Sequence, residues 1–181
     1  IGVSNFSPEQ MEAFARIAPL HSAQPPFNLF ERGIEDGILP HCRDNDIYTL
    51  TYGALCRGLL SGRMSETTRF EGDDLRKMDP KFQSPRYQQY LEAVKRLDDL
   101  ARERYGTDVL ALAVRWVLDQ PGIGSALWGG RRPEQMDALD RIADWTLDDE
   151  SLAAIDAIIR DTVTDPVGPE FMAPPARSDA A

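Results

Sequence analysis

The chain has 181 residues, of which 42% are hydrophobic and 28% charged, enough for one domain with a sizeable core. Its net charge of −10 disfavours binding to nucleic acid or to an anionic membrane surface, although a local basic patch could hold one anionic ligand. There is no membrane-spanning apolar run and no secretory signal, and two cysteines are too few for a disulfide framework, so we expect a cytoplasmic protein. The chain begins inside a predicted strand and without a methionine, which is typical of a fragment.

Short apolar segments alternate with helical patterns along the chain. The predicted strands are Ile1 to Ser4, Ser22 to Pro25, Ile47 to Tyr52 and Ser125 to Trp128. Before the second strand, Ser7 and Gln10 form a capping box with Pro8 at the first helical position. Before the third, apolar residues from Ile34 to Cys42 recur at helical spacing.

Four further helices are predicted between residues 87 and 160. The clearest amphipathic period lies in residues 87–105, and a second helix follows it directly. A third is predicted to begin near residue 133 and to continue through residue 142. Each of these helices has a residue suited to one of its ends, namely Gly106, Thr107, Pro133, and either Asp148 or Asp149.

Four alternations of strand and helix predict an α/β architecture with a parallel sheet. The pattern alone fits a half-barrel or a small doubly wound sheet. Four βα units leave two open sheet edges, which suggests a missing half. Residues 62–87 are rich in Gly, Pro and charged residues, and a connection of that length is more often a functional loop than filler. Residues 165–181 contain four prolines and are predicted to be disordered or folded over a surface.

Polar side chains follow the first two predicted strands. Ser4 and Asn5 offer a hydroxyl and an amide where the first strand ends, and Gln24 ends the second. In parallel α/β folds ligands gather at the carboxyl ends of strands, so these groups could bind a carboxamide. Alternatively, Ser4 and Asn5 cap a helix or close a turn, and Gln24 satisfies neighbouring backbone groups.

The third strand ends in an aromatic ring followed by glycines. Tyr52 could stack on a flat heterocycle, or it could be an ordinary core residue. Gly53, Gly58 and Gly62 would let backbone N–H groups approach phosphates.

The fourth strand leads into the sequence WGGRRPEQ. Its glycines allow close approach, Arg131 and Arg132 match phosphate oxygens, and the helix predicted at Pro133 would supply N–H donors. The segment therefore favours an anion site, with a solvated helix start as the alternative.

The order of these motifs resembles the aldo-keto reductase superfamily. The resemblance rests on GVSNFS, the strand-end glutamine, YGALCRGLLSG and LAVRWVLDQPGI followed by WGGRRPEQ, and it covers nearly the whole chain. Within the superfamily, QPPFNLFER, FEGDDLR and DPVGPEFMAPP are most similar to bacterial NADP-dependent reductases of the general stress protein 69 type. The implied fold is a (β/α)₈ TIM barrel, with residues 1–181 supplying strands five to eight as a partial barrel domain.

The resemblance implies NADP(H) as cofactor and a role for twelve residues in holding it. The nicotinamide carboxamide would be bound by Ser4, Asn5 and Gln24, and Tyr52 would stack on the ring. The pyrophosphate would be lined by Gly53, Leu55, Arg57 and Gly58. The 2′-phosphate would be held by Gly129, Gly130 and Arg131, with Gln135 near the adenosine. Ala138 and Leu139 stand where many members have Glu and Asn against the adenine, which implies a looser hold on it.

No catalytic residue is predicted within this chain. The family's Asp, Tyr, Lys and His tetrad would precede Ile1, in the missing N-terminal half of the barrel, and neither His21 nor His41 has a fitting Tyr and Lys beside it. The implied function is NADPH-dependent reduction of small or sugar-derived carbonyl compounds, with this chain alone inactive. The alternative is a non-catalytic NADP-sensing module similar to channel β-subunits.

Overall fold

Four parallel strands, paired in chain order, form the sheet in the computed structural model, which describes residues 1–130 and 132–171. The strands are β1 (Gly2–Ser4), β2 (Ser22–Gln24), β3 (Tyr48–Thr51) and β4 (Ile123–Ala126). Because every pair is parallel, the carboxyl ends of all four strands lie at the same end of the sheet. The predicted α/β class with a parallel sheet is confirmed.

The α-helices of the described residues follow the predicted order, and three predicted ends are confirmed, at Ser7, Gly106 and Asp148. They are α1 (Pro8–Ala15), α2 (Ile38–Asp44), α3 (Arg86–Tyr105), α4 (Val109–Asp119) and α5 (Asp149–Thr162). The Ser7 hydroxyl accepts a hydrogen bond from the Gln10 backbone N–H at 3.3 Å, and the Gln10 side chain accepts one from Ser7 at 2.8 Å. Gly106 ends α3 in the left-handed conformation with φ of 63°. None of these helices, within the described residues, is long and apolar enough to cross a bilayer.

Two helix predictions are wrong. The N-cap of α4 is Asp108 and not Thr107, because the Asp108 carboxylate is the group that accepts from the Ala111 N–H, at 3.1 Å. The helix predicted from Pro133 to residue 142 is instead two short 3₁₀ turns, Pro133–Met136 and Leu139–Arg141. Arg132 precedes the first turn, and arginine lacks the short acceptor side chain that caps an α-helix.

The first three strands are each shorter than predicted by one residue at one or both ends. Two elements differ by more. The helical pattern that starts at Ile34 becomes regular only at Ile38. Gly37 is the N-cap of α2, and glycine disfavours the interior of a helix. Strand β4 ends at Ala126, two residues before the predicted end. A register shift between Thr49 and Leu50 lets Ile123 pair at the start of the strand.

The helices cover one face of the sheet. On that face Ala23 of β2 is buried in an apolar cluster with Met11 of α1 and Cys42 of α2. Most of the core lies between α3, α4 and α5, where Trp116 packs against Phe27 with ring centroids 5.1 Å apart. Burial of large apolar side chains of this kind contributes about 1.5–3 kcal/mol each. On the opposite face Tyr48 is 52% exposed.

The long connection at 62–87 folds back against the core. It contains two 3₁₀ turns, Leu75–Lys77 and Pro80–Phe82, before α3 begins. Phe82 is buried and packs edge-on against Phe70 at 5.3 Å. Of the predicted tail, residues 165–171 are described, and the Val167 N–H donates to the Tyr90 hydroxyl at 3.0 Å.

Candidate functional site

A cleft of about 1090 Å³ lies at the carboxyl ends of β3 and β4. Its walls are the loop after β3, the loop after β4 and residues 63–76 of the long connection. Among the described lining residues, arginines outnumber acidic residues five to three, in a chain whose net charge is −10. The arginines are Arg57, Arg63, Arg69, Arg76 and Arg132. The volume is large for a small-molecule site, for which about 300–1,000 Å³ is typical.

The loop after β3 has an unusual run of left-handed backbone. Gly53 and Gly58 have φ of 75° and 88°, and Cys56 and Arg57, which are not glycines, have φ of 46° and 53°. Left-handed conformations of non-glycine residues cost free energy and gather at functional sites. Turns of this kind aim successive N–H groups at one point and form anion-binding concavities. Four predicted pyrophosphate residues of this loop, Gly53, Leu55, Arg57 and Gly58, line the cleft.

The Arg57 guanidinium faces a buried carboxylate. The Arg57 Nε atom lies 3.7 Å from Asp79 Oδ2, and the two side chains are 18% and 1% exposed. The guanidinium therefore lies between the protein interior and the cleft.

The predicted nicotinamide residues come together at the ends of β1, β2 and β3. The Tyr52 hydroxyl donates to Asn5 Oδ1 at 2.9 Å, and the Ser4 hydroxyl donates to the Gln24 carbonyl at 2.8 Å. Burial raises the pKa of Tyr52, and the hydrogen bond to Asn5 offsets part of that rise. The phenol is therefore neutral at physiological pH. Ser4 does not cap α1, since Ser7 has that role.

The loop after β4 supplies the opposite wall of the cleft. Gly129 and Gln135 line it, together with Trp128 and Arg132. A Cβ atom at Gly130 would lie 2.5 Å from Cε of Met136, so a larger residue there would have to displace the end of that flexible side chain. Arg131 lies outside the described residues.

The α-helical N-terminus predicted as an anion donor at this wall is absent. Residues 133–136 form one 3₁₀ turn, and the Arg132 N–H donates to the Gln135 side chain at 3.0 Å. The remaining support for an anion on this side comes from the glycines and the arginine side chain.

Sequence reasoning missed the arginines of the long connection as site residues. Arg63 and Arg69 line the cleft, and so does Arg76, whose guanidinium stacks on Phe70 at 4.3 Å and pairs with Asp74 at 2.5 Å. The charged composition of this loop indicated a functional role. It could not show which side chains turn inwards, because the loop has no period.

The order of elements, the glycine loop and the arginine-lined cleft can be compared with known proteins. The model of the aldo/keto reductase family matches residues 1–160. The chain belongs to the aldo/keto reductase family. The family prediction made from the motifs is thereby confirmed.

Relatives of this aldo/keto reductase chain include enzymes and a solved structure. It is 60% identical over 179 residues to aldo-keto reductase YhdN of Bacillus subtilis (strain 168), covering 99% of this chain and 54% of that protein. It is 28% identical over 174 residues to the L-glyceraldehyde 3-phosphate reductase of Escherichia coli O157:H7, covering 89% and 49%. The glycerol dehydrogenase AKR11B4 from Gluconobacter oxydans superposes with a TM-score of 0.86 at 51% identity, covering 95% and 52%. The chain thus spans about half the length of these relatives.

Proposed function

We propose that this chain is the NADP(H)-binding part of a reductase that converts small or sugar-derived aldehydes and ketones to alcohols. The observation that carries the proposal is the arginine-lined cleft at the strand ends, with left-handed backbone at Gly53, Arg57 and Gly58 in its wall. A dinucleotide needs a large site with donors for its phosphates, and the cleft offers about 1090 Å³ and five arginines.

Each predicted residue has a proposed role, although the four nicotinamide residues lie outside the lining of the arginine-lined cleft. Ser4, Asn5 and Gln24 would hold the nicotinamide carboxamide, and Tyr52 would pack against its ring. The pyrophosphate would lie on Gly53, Leu55, Arg57 and Gly58. The 2′-phosphate would lie beside Gly129, Gly130 and Arg131, and the adenosine beside Gln135.

The residues present fit such a cofactor. Tyr52 is half-buried at a strand end, and its hydroxyl is anchored to Asn5, so one ring face can support a flat heterocycle. Gly53 and Gly58 adopt positive φ, which permits close approach of phosphate oxygens.

We further propose that the four strands are half of a (β/α)₈ barrel. One sheet face is bare, with Tyr48, Ser4 and Gly124 exposed, and β1 and β4 are open edges among the described residues. A second set of four βα units would cover that face and pair with both edges. The relatives, about twice as long as this chain, have room for such a set.

In the proposed mechanism the protein's task is orientation. NADPH, when bound, supplies the hydride that reduces the carbonyl carbon. Asn5 holds the Tyr52 hydroxyl, which fixes the tilt of the ring against which the nicotinamide would rest. Arg57 would bind the phosphates and so fix the position of the cofactor along the cleft. Proton donation would fall to residues of the other half-barrel.

Names of two relatives favour a three-carbon test substrate. One is named as a reductase of L-glyceraldehyde 3-phosphate and the other as a glycerol dehydrogenase. D,L-glyceraldehyde is therefore the first substrate to test.

The decisive experiment follows the ultraviolet absorbance of NADPH with glyceraldehyde and the purified protein. A fall that depends on both protein and aldehyde supports the reductase. Quenching of tryptophan fluorescence by NADPH without turnover would identify a cofactor-binding half that lacks its catalytic partner. If the protein shows no turnover and NADPH causes no quenching, the proposal is overturned.

A further inference from the structure

A cluster of ionised and polar side chains is buried beneath the cleft floor. We call Asn28, Glu31, Asp79 and Lys81 the buried ion cluster, and each of them is at most 1% exposed. Asn28 and Glu31 come from the segment after β2, whereas Asp79 and Lys81 come from the long connection. Buried charges are rare unless they are paired, so this cluster needs an explanation.

One end of the cluster holds the backbone of the cleft. The Asn28 amide donates to the Gly53 carbonyl at 3.0 Å and to Glu31 Oε2 at 2.6 Å. The Asn28 side-chain oxygen accepts from the Phe30 and Glu31 N–H groups at 2.9 and 3.1 Å, which fixes the orientation of the amide. Gly53, a proposed pyrophosphate residue, is thereby tied to the cluster.

The other end of the cluster holds an arginine of the cleft. Glu31 Oε1 lies 2.8 Å from Lys81 Nζ, which lies 3.2 Å from Asp79 Oδ2. That same Asp79 oxygen faces Arg57 Nε at 3.7 Å. Asp79 Oδ1 also accepts from the Lys81 N–H at 3.0 Å, so the carboxylate cannot turn away from the arginine without losing a hydrogen bond.

The charges of the cluster balance only when Arg57 is included. Ionised Glu31 and Asp79 bring two negative charges, and Lys81 brings one positive charge. Burial raises the pKa of Glu31, and the charge of Lys81 and the hydrogen bond from Asn28 offset part of that rise. Burial lowers the pKa of Lys81, but the charges of Glu31 and Asp79 outweigh this effect and raise it, so the ammonium is retained. Arg57 is the second cation, and the attraction to buried Asp79 keeps it at the cleft wall.

We propose that Asp79 and Lys81 are positioning residues that fix the Arg57 guanidinium at the cleft wall to receive the cofactor pyrophosphate. This inference rests on the proposed NADP(H) function. Since both residues belong to the long connection, the same contacts fasten that loop to the cleft floor. The Asp79 carboxylate, held in place by the Lys81 N–H, attracts the arginine as an ion pair and not through a hydrogen bond. This attraction restrains the guanidinium before the ligand arrives, and less ordering remains to be done on binding.

The test is a double-mutant cycle on NADPH affinity, measured by tryptophan fluorescence quenching of the purified protein. Asp79→Asn keeps the shape and the acceptor for Lys81 N–H but removes the charge. We expect it to weaken NADPH binding about tenfold, equivalent to about 1.4 kcal/mol. Arg57→Ala should weaken binding at least as much, and adding Asp79→Asn to Arg57→Ala should cause no further loss.

Additive losses in the cycle would overturn the inference, because Asp79 would then act independently of Arg57. No effect of Arg57→Ala would overturn it too. If the unaltered protein does not bind NADPH, the proposed function fails and this inference falls with it. Asp161→Asn, the same chemical change at an exposed position on α5, is the control and should leave the affinity unchanged.

A second variant serves if Asp79→Asn does not fold. The double substitution Glu31→Gln with Lys81→Gln removes one charge of each sign and therefore leaves the buried charge balanced. It should weaken NADPH binding several-fold in the unaltered background and have no effect beside Arg57→Ala. Equal losses in both backgrounds would assign the cluster to general stability and contradict the inference.

Discussion

Tyr52 and Asn5 join strand ends that are 47 residues apart in sequence. The hydroxyl binds Asn5 and leaves the ring as the part of Tyr52 that can meet a cofactor. The two parts of this side chain therefore have separable roles, and substitutions can remove them one at a time.

Tyr52→Ala removes both parts, whereas Tyr52→Phe removes only the hydroxyl. In a turnover-competent preparation we expect Tyr52→Ala to lower kcat at least about tenfold, because a poorly aimed nicotinamide spends less time in reactive geometry. Tyr52→Phe should retain most of kcat. Steady-state kinetics and thermal melts of both variants would check this, and a melting collapse in Tyr52→Ala with an unchanged kcat would mean that the ring is only a core residue.

Some residues of this site could be predicted from sequence and others could not. Gly53 and Gly58 are predictable, since glycine is the residue that tolerates positive φ at low cost. Lys81 and Asp79 are not, because charged residues in a polar loop normally face water. Their burial depends on Glu31, about 50 positions earlier in the chain, and no local pattern reports such a partner.

At the scale of elements, adjacent residues of similar capping preference compete. Thr107 and Asp108 are both suited to cap α4, and Asp108 does so while also pairing with Arg141 at 2.6 Å. The interior of α4 was predictable from its apolar period, whereas the starting residue depends on this second contact.

The cap of α4 gives a stability prediction. Asp108→Ala should lower the free energy of unfolding by about 1 kcal/mol, because the Ala111 N–H loses its acceptor. Asp108→Asn should keep the cap and lower it by less than about 0.5 kcal/mol. Urea denaturation of the two variants measures both values, and similar losses would show that the pair with Arg141 matters more than the cap.

The cap of α5 gives a pH prediction. Hydrogen bonds from Ser151 lower the pKa of Asp148 in the folded protein. A lowered folded-state pKa adds stability that is present above the unfolded-state pKa and is lost as the pH falls through the folded-state value. Asp148→Asn caps without titrating, so its free energy of unfolding should fall less steeply between about pH 5 and about pH 2. Asp148→Ala lacks the cap at every pH, so its free energy of unfolding near neutral pH should be lower than that of the Asn variant and of the unaltered protein. Equal slopes for Asn and the unaltered protein would contradict the role of this carboxylate.

At the scale of the whole molecule, the sheet has one face covered by helices and one bare. The alternation along β3 shows the division, with Thr49 and Thr51 buried and Tyr48 exposed. Strands buried on both faces have nearly continuous apolar sequences, whereas β2 reads SAQ and β3 reads YTLT, so the sequences of these strands do not by themselves indicate a second layer.

The bare face predicts how the 181-residue polypeptide behaves when expressed alone. Open strand edges and an uncovered face favour self-association, so light scattering should rise with concentration. Tyr48→Lys should reduce the scattering by placing a charge on that face. Ile17→Lys makes the same charge change at a residue that is more exposed, 88% against 52%, but lies off the sheet, and it should have no effect. In a closed barrel Tyr48→Lys would instead be harmful, because the lysine would be buried and would destabilise the fold. Equal effects of the two substitutions would mean that net charge, and not the bare face, governs the association.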